Sequence, residues 1–284
     1  MSRGPIYYRH MFQWLTDRRR SRLLEEPFPE EWEDILEENV AAYELLDDDE
    51  QKRLRDLVQV FIAEKNWEGC GDPALELDDE IRVTIAGAGC LLLMGRDHDL
   101  FSEVESILVY PSAVVVPEQQ RSHFDSTGRV NEGDKPVLGL AVHGGAVVLA
   151  WDSALHGARD HKDGHNVVIH ELAHKIDFID GAADGTPMFE SGAERRAWAE
   201  AMAPAYLRHK ERAEDGKKSF LDDYAITNEA EYFAVATETF FEKPRGLKRA
   251  LPEVYEQLAG FYKLDLADRE PRTKKKPARN REQD

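Results

Sequence analysis

The sequence predicts an α+β fold, with helices at both ends of the chain and a run of short strands between them. Three observations carry this. Apolar residues recur at helical spacing up to about residue 94 and again from about residue 165. Between them the pattern shortens to brief β-branched runs, and Pro and Gly punctuate the change. The expected organisation is one compact domain over residues 29–265, comprising a small mixed sheet and an N-terminal helical part. A flexible basic segment, residues 1–28, is expected before it and a basic disordered tail, residues 266–284, after it.

Residues 30–46 read as an amphipathic helix with Trp32, Ile35, Leu36, Val40 and Tyr43 at helical spacing. Asp47, Asp48 and Asp49 offer caps for a helix over 50–65 whose apolar stripe is Leu54, Leu57, Val58 and Phe61. After a short extended piece, Asp78 and Asp79 cap a third helix from 80 to about 94. It is apolar nearly all round, so it belongs at the centre. Its Gly87-Ala88-Gly89 suits close helix packing; a Gly-x-Gly in mid-helix is a weak nucleotide signal. Strands are expected at 107–110, 113–116, 136–142 and 146–151, with a loop or irregular hairpin over 119–135. A polar connection leads to an apolar helix at 165–177. A tight loop follows, then helices at 194–214, 228–241 and 252–262.

Composition narrows the function classes. With 42% hydrophobic residues in 284 the chain can bury a substantial core. No apolar run approaches the ~20 residues that cross a bilayer, so no membrane partner is expected. The first residues lack an apolar stretch followed by a small-residue cleavage site, and no signal peptide is expected. Cys70 and Cys90 are the only cysteines, which implies no disulfide framework and a cytoplasmic setting. A net charge of -19 argues against direct nucleic-acid binding, because phosphates call for a basic surface. The basic residues that stand out (Arg18-Arg19-Arg20, Lys274-Lys275-Lys276) lie at the ends and read as solvated.

The chemistry is concentrated in His170-Glu171-Leu172-Ala173-His174. On a helix, residues four apart share a face, so the two imidazoles project side by side and can reach one Zn²⁺. Glu171 lies one residue past the first histidine, where it can hold the proton of an activated water without being a ligand. The flanking Val167, Val168, Ile176 and the intervening Leu172 and Ala173 are those of a buried helix. Such a helix has no reason to bury two histidines and a glutamate unless something compensates them, and a metal does so.

Catalytic zinc sites have three protein ligands and an open position. Asp180 lies six residues after His174, where metzincin-type enzymes put a last ligand. Those enzymes turn back through a Gly three residues after the second histidine, and here that position is Asp177, for which positive φ is costly. The better candidate is Glu231, an acid among apolar residues on the helix at 228–241. Glu238, two turns on along the same face, is either the alternative ligand or a carboxylate behind one. Tyr224, seven residues before Glu231, is either a packed aromatic or a phenol that donates to a tetrahedral oxyanion. Asp177 is a further candidate for orienting the histidines. His156, His161 and His165 read as surface residues.

Two segments, HNVVIHELAHKIDFIDG and DDYAITNEAEYFAVATETFFEKP, together resemble the Mlc titration factor A family of bacterial zinc peptidases. They are similar, more remotely, to the catalytic domain of anthrax lethal factor. The resemblance runs from about Pro27 through ILVYPSAVVV to about Tyr262, and leaves out the basic ends. It implies a zincin-like metallopeptidase domain binding one Zn²⁺ through His170, His174 and Glu231. Glu171 is then the general base and Tyr224 the oxyanion stabiliser. It also implies a cytosolic enzyme, an aminopeptidase acting on peptides, and a link to a transcriptional repressor such as Mlc. The alternative function is a regulatory protein that sequesters a transcription regulator with little peptidase activity; an acidic body suits a basic partner.

Overall fold

The computed structural model describes residues 17–96, 101–113, 139–141 and 145–269. Helix α1 (Glu30–Asn39) ends where the sequence pattern would continue it: Val40 leaves the helix and residues 41–45 form a 3-10 turn. The reason is tertiary. Asn39 is buried, and its amide reaches Thr84 at 2.8 Å while Arg159 donates to its oxygen at 2.7 Å. Helix α2 (Asp48–Glu64) starts at Asp47, whose carboxylate accepts from the Glu50 amide while the Glu50 side chain caps back, a reciprocal capping box. Strand β1 (Asn66–Gly69) follows, then α3 (Asp79–Cys90), capped by Asp78.

Nine of the twelve α3 residues are buried, as a central helix requires. Its glycines set two helix contacts. A Cβ on Gly87 would meet Leu36 of α1 at 2.6 Å, and one on Gly89 would meet Leu172 at 2.5 Å. Close packing, not phosphate binding, is what this Gly-Ala-Gly serves.

Among the described residues the sheet has four strands in the order β1, β2 (Ser106–Tyr110), β4 (Ala146–Ala150), β3 (Gly139–Ala141). The first three are parallel, and β3 is antiparallel at the edge, with Leu140 opposite Val148. Alternation puts Ile107 and Val109 of β2 beside Val147 and Leu149 of β4 on one buried face, and the helices cover it. The expected strand at 113–116 and loop at 119–135 lie outside the described residues, apart from Ala113.

Two helices replace expected connections. Helix α4 (Trp151–Arg159) springs directly from β4, and α8 (Pro244–Ala250) stands between α7 (Glu229–Glu242) and α9 (Pro252–Tyr262). Between α4 and α7 lie the motif helix α5 (Val167–Asp177) and the long α6 (Gly192–Glu214). Helical and buried residues also lie outside residues 29–265. Residues 17–23 are helical, and Arg20 makes two 2.8 Å bonds to Glu64 of α2. At the other end Leu266 and Ala267 are buried, and the Arg269 guanidinium pairs with Glu50. Of the basic end residues expected to be solvated, Arg20 thus finds a carboxylate on α2. Among the described residues no helix is long and apolar enough to cross a membrane.

The tight approach at Gly89 is testable. Gly89→Val drives two methyl groups into the contact with α5, so equilibrium unfolding should show a loss of about 1–3 kcal/mol from overpacking. Gly192→Ala, where a new Cβ has nothing within 4 Å, should stay within about 0.5 kcal/mol of the parent.

Candidate metal centre

Helix α5 begins at Asn166, whose side-chain oxygen accepts from the Ile169 amide, and its apolar face is buried by Val168, Ile169, Leu172 and Ile176. This fixes the turn on which His170 and His174 stand. Helix α7 packs along α5, and every residue of it after Glu229 is buried. Asn228 caps α7 by accepting from the Glu231 amide at 2.9 Å, so Glu231 sits in the first turn and faces α5.

Three side chains converge between these helices. His170 Nε2 and His174 Nε2 lie 3.1 Å apart, and Glu231 Oε2 is 3.1 Å from the first and 3.3 Å from the second. Imidazole and carboxylate ligands about 2.0–2.1 Å from a tetrahedral ion stand roughly 3.3 Å from one another. The triangle therefore fits a small divalent metal, and its donor set of two nitrogens and one oxygen suits a transition ion better than calcium or magnesium.

The electrostatics favour a cation. Glu231 has no exposed side-chain surface. Burial alone would raise its pKa, yet hydrogen bonds from both histidines hold the carboxyl far below the usual range. Burial likewise opposes charge on His170, but Glu238, Glu231 and Glu171 around it raise its pKa well above that of a free imidazole. Protons and metal ions compete for the same negative field.

Behind His170, Glu238 Oε1 meets Nδ1 at 2.6 Å. Glu238 thus meets the ring on the Nδ1 side, while Nε2 faces His174 and Glu231; of the two readings of Glu238, this contact fits a carboxylate standing behind the histidine. Asp180 is not part of the group. It lies in a 3-10 turn, exposed, with its carboxylate accepting from the Ala182 amide. Asp177 is buried at the end of α5 and accepts from Gly185 at 3.0 Å. Gly185 takes φ of +73°, and a Cβ there would stand 2.3 Å from the Glu229 carbonyl, so the loop passes close under the start of α7.

Glu171 is buried on α5 next to His170, and Lys175, one turn on, is pushed down to about 8 by its own burial against the pull of Glu171 and Glu103. Tyr224 lies in a 3-10 turn (Asp223–Ile226) with its ring centroid 6.0 Å from that of His170 and its hydroxyl buried. His156, His161 and His165 are exposed. Two residues were not singled out from sequence, Asn166 and Glu242. Their signals were present: an Asn just before an apolar helical run, and acids at 231, 238 and 242 on one face of an otherwise apolar helix.

Comparison with known proteins now bears on this geometry. The profile of the glucose-regulated metallo-peptidase M90 family matches residues 14–263. The chain belongs to this family. It is 35% identical over 230 residues to Mlc titration factor A of Edwardsiella ictaluri, covering 79% of this chain and 84% of that protein. It is 30% identical over 241 residues to the protein of that name from Serratia proteamaculans, covering 83% and 87%. An uncharacterized protein of Synechocystis is 32% identical over 260 residues, 91% of each chain. Membership of a metallopeptidase family accords with a donor triangle that suits a metal ion.

The buried Asp177 gives a pH signature. Burial lifts its pKa from 3.8 to about 6, so the native state holds this proton more tightly than the unfolded chain does. Its contribution to stability is present below pH 4 and lost as pH rises towards 6. Relative to the parent, Asp177→Asn should gain on the order of 3 kcal/mol across that window in urea unfolding. Parallel pH profiles for the two proteins would contradict the assignment.

Proposed function

We propose that this chain is a zinc-dependent peptidase with a zincin-like catalytic domain, acting as a cytoplasmic aminopeptidase. One observation carries the reading: the meeting of His170, His174 and Glu231 donor atoms at 3.1–3.3 Å, with Glu171 on the same helix turn. Three protein ligands leave a coordination position open, as catalysis needs; structural zinc sites are closed by four and favour cysteine. Zinc held there supplies an acidified water and polarises the carbonyl to be attacked.

The chain's own groups do the rest. Glu171 takes the proton of the attacking water and returns it to the leaving amine. Tyr224 donates its phenolic hydrogen to the oxyanion that develops on the substrate carbonyl, and its ring beside His170 supports that role. Glu238 keeps His170 in the tautomer that offers Nε2. Strand β3, at the edge of the sheet among the described residues and beside α5, supports binding of an extended peptide by backbone pairing. The unpaired Cys70 and Cys90 accord with a reducing compartment.

The name of these relatives, Mlc titration factor A, supports a second reading, in which the protein sequesters a transcriptional repressor such as Mlc. The acidic surface suits a basic partner of that kind.

Glu171→Gln separates the two. With metal content measured, hydrolysis of amino-acid p-nitroanilides should fall at least a hundredfold or so, with one zinc per chain retained. Tyr224→Phe should cost on the order of a hundredfold in kcat. Zinc-loaded parent protein that cleaves nothing, together with binding of the repressor by both parent and Glu171→Gln, would favour sequestration. A protein that retains no zinc would defeat the peptidase reading.

A further inference from the structure

We propose that Asn166 is a positioning residue for the metal centre: it couples Glu238 and Glu242 on α7 to the start of α5 and so sets the aim of His170. The inference rests on the zinc reading above and goes beyond it to residues that do not face the metal.

Every polar group of Asn166 is engaged. Its backbone N–H donates to Glu238 Oε2 at 2.7 Å, and its carbonyl accepts from the His170 amide at 2.9 Å. Its side-chain oxygen accepts from Ile169 at 3.2 Å, and its side-chain nitrogen donates to Glu242 Oε1 at 3.1 Å. Asn166 therefore holds His170 twice, through the backbone and through the carboxylate that grips the imidazole Nδ1. The residue is 2% exposed. Helix α4 presses on it from behind, since a Cβ on Gly157 would come within 2.9 Å of the Asn166 Cα. The network has little room to rearrange.

The chemistry calls for an amide. As a helix cap, Asp or Ser would serve as well as Asn. Neither carries the NH₂ that Glu242 accepts from. Glu242 is itself buried, and burial pushes its carboxyl up to about 9, with Asp163, Glu238 and Asp160 nearby adding to the rise. It stands as a neutral acid whose carbonyl oxygen takes the Asn166 N–H. A carboxylate at 166 has no N–H to give to that oxygen, and it adds a negative charge beside the very Glu238 that must stay fixed.

The test is an exchange of amide and acid. Zinc dissociation constants by chelator competition and thermal unfolding of the chelated proteins would be measured for parent, Asn166→Asp, Glu242→Gln and the double variant. Asn166→Asp should weaken zinc binding on the order of ten- to a hundredfold, as loss of outer-sphere partners does. Glu242→Gln, which resembles the neutral acid in shape and charge, should bind zinc as the parent does. The double variant should recover most of the loss, because an amide N–H at 242 then meets the new carboxylate at 166 and the bond between the two positions re-forms with its direction reversed. Asn166→Ser, which keeps the cap and lacks the donor, covers the case in which Asn166→Asp does not fold, and should show the same weakening. Parental affinity in Asn166→Asp or Asn166→Ser, or a double variant no better than Asn166→Asp, would overturn the proposal and leave the zinc reading standing. So would a fall in melting temperature with affinity unchanged. A parent protein that binds no zinc would sink both.

Discussion

Glu231 carries a charge at a position with no exposed surface, and a charge so placed must be compensated by what touches it. Two imidazoles do this from one helix, and their geometry dictates much around them. They must stand one turn apart on α5, α7 must approach closely enough to bring a short side chain to them, and both helices must be capped so that the turns bearing the three donors are rigid. Asn166 and Asn228 provide the caps. Gly89 lets α3 come up against Leu172 on the other side of α5, and Gly157 lets α4 come up against its start. Small residues appear where the helices have to crowd around a polar centre.

The same constraint explains why α7 is acidic on one face although nearly all of it is buried. Its carboxylates differ in what surrounds them. Glu231 faces two imidazoles and is held far towards the charged form; Glu242 faces an amide and is held towards the neutral one. Glu238 stands between them with one oxygen on each neighbouring group, the Asn166 amide and the His170 ring. A gradient of environments along three turns of helix gives three identical side chains three different roles.

Much of this was legible in the sequence because the signals are local and chemical. His170 and His174 four apart on an apolar helix specify a shared face, and an acid at 231 among aromatics has few reasons to be there other than a buried positive partner. The apolar α3 announces a central helix, and Asp47 and Asp78 announce starts. What was not legible is decided by distant parts of the chain. The break at Val40 depends on Arg159 and Thr84 drawing Asn39 inward, which no window around residue 40 contains. Helix α4 and helix α8 begin without a side-chain cap and are short; the one start signal at α8 is Pro244 at its first position, and a Pro there reads equally as a break. Whether Glu238 binds the metal or stands behind a histidine cannot be read from spacing, because both roles use the same helix face; only the side of His170 from which it arrives separates them.

The order in which the donors occur along the chain has a consequence for how the protein is made. His170 and His174 leave the ribosome together, but their third partner follows only with α7, and Arg269 closes onto Glu50 later still. A nascent chain with α5 complete and α7 still unsynthesised holds two of the three donors and lacks the buried carboxylate. Such a centre matures only when nearly the whole domain is available to fold around it. The order of the donors thus ties the three-donor group to the folding of the helices that enclose it: two histidines on α5 cannot form it until α7 has packed beside them.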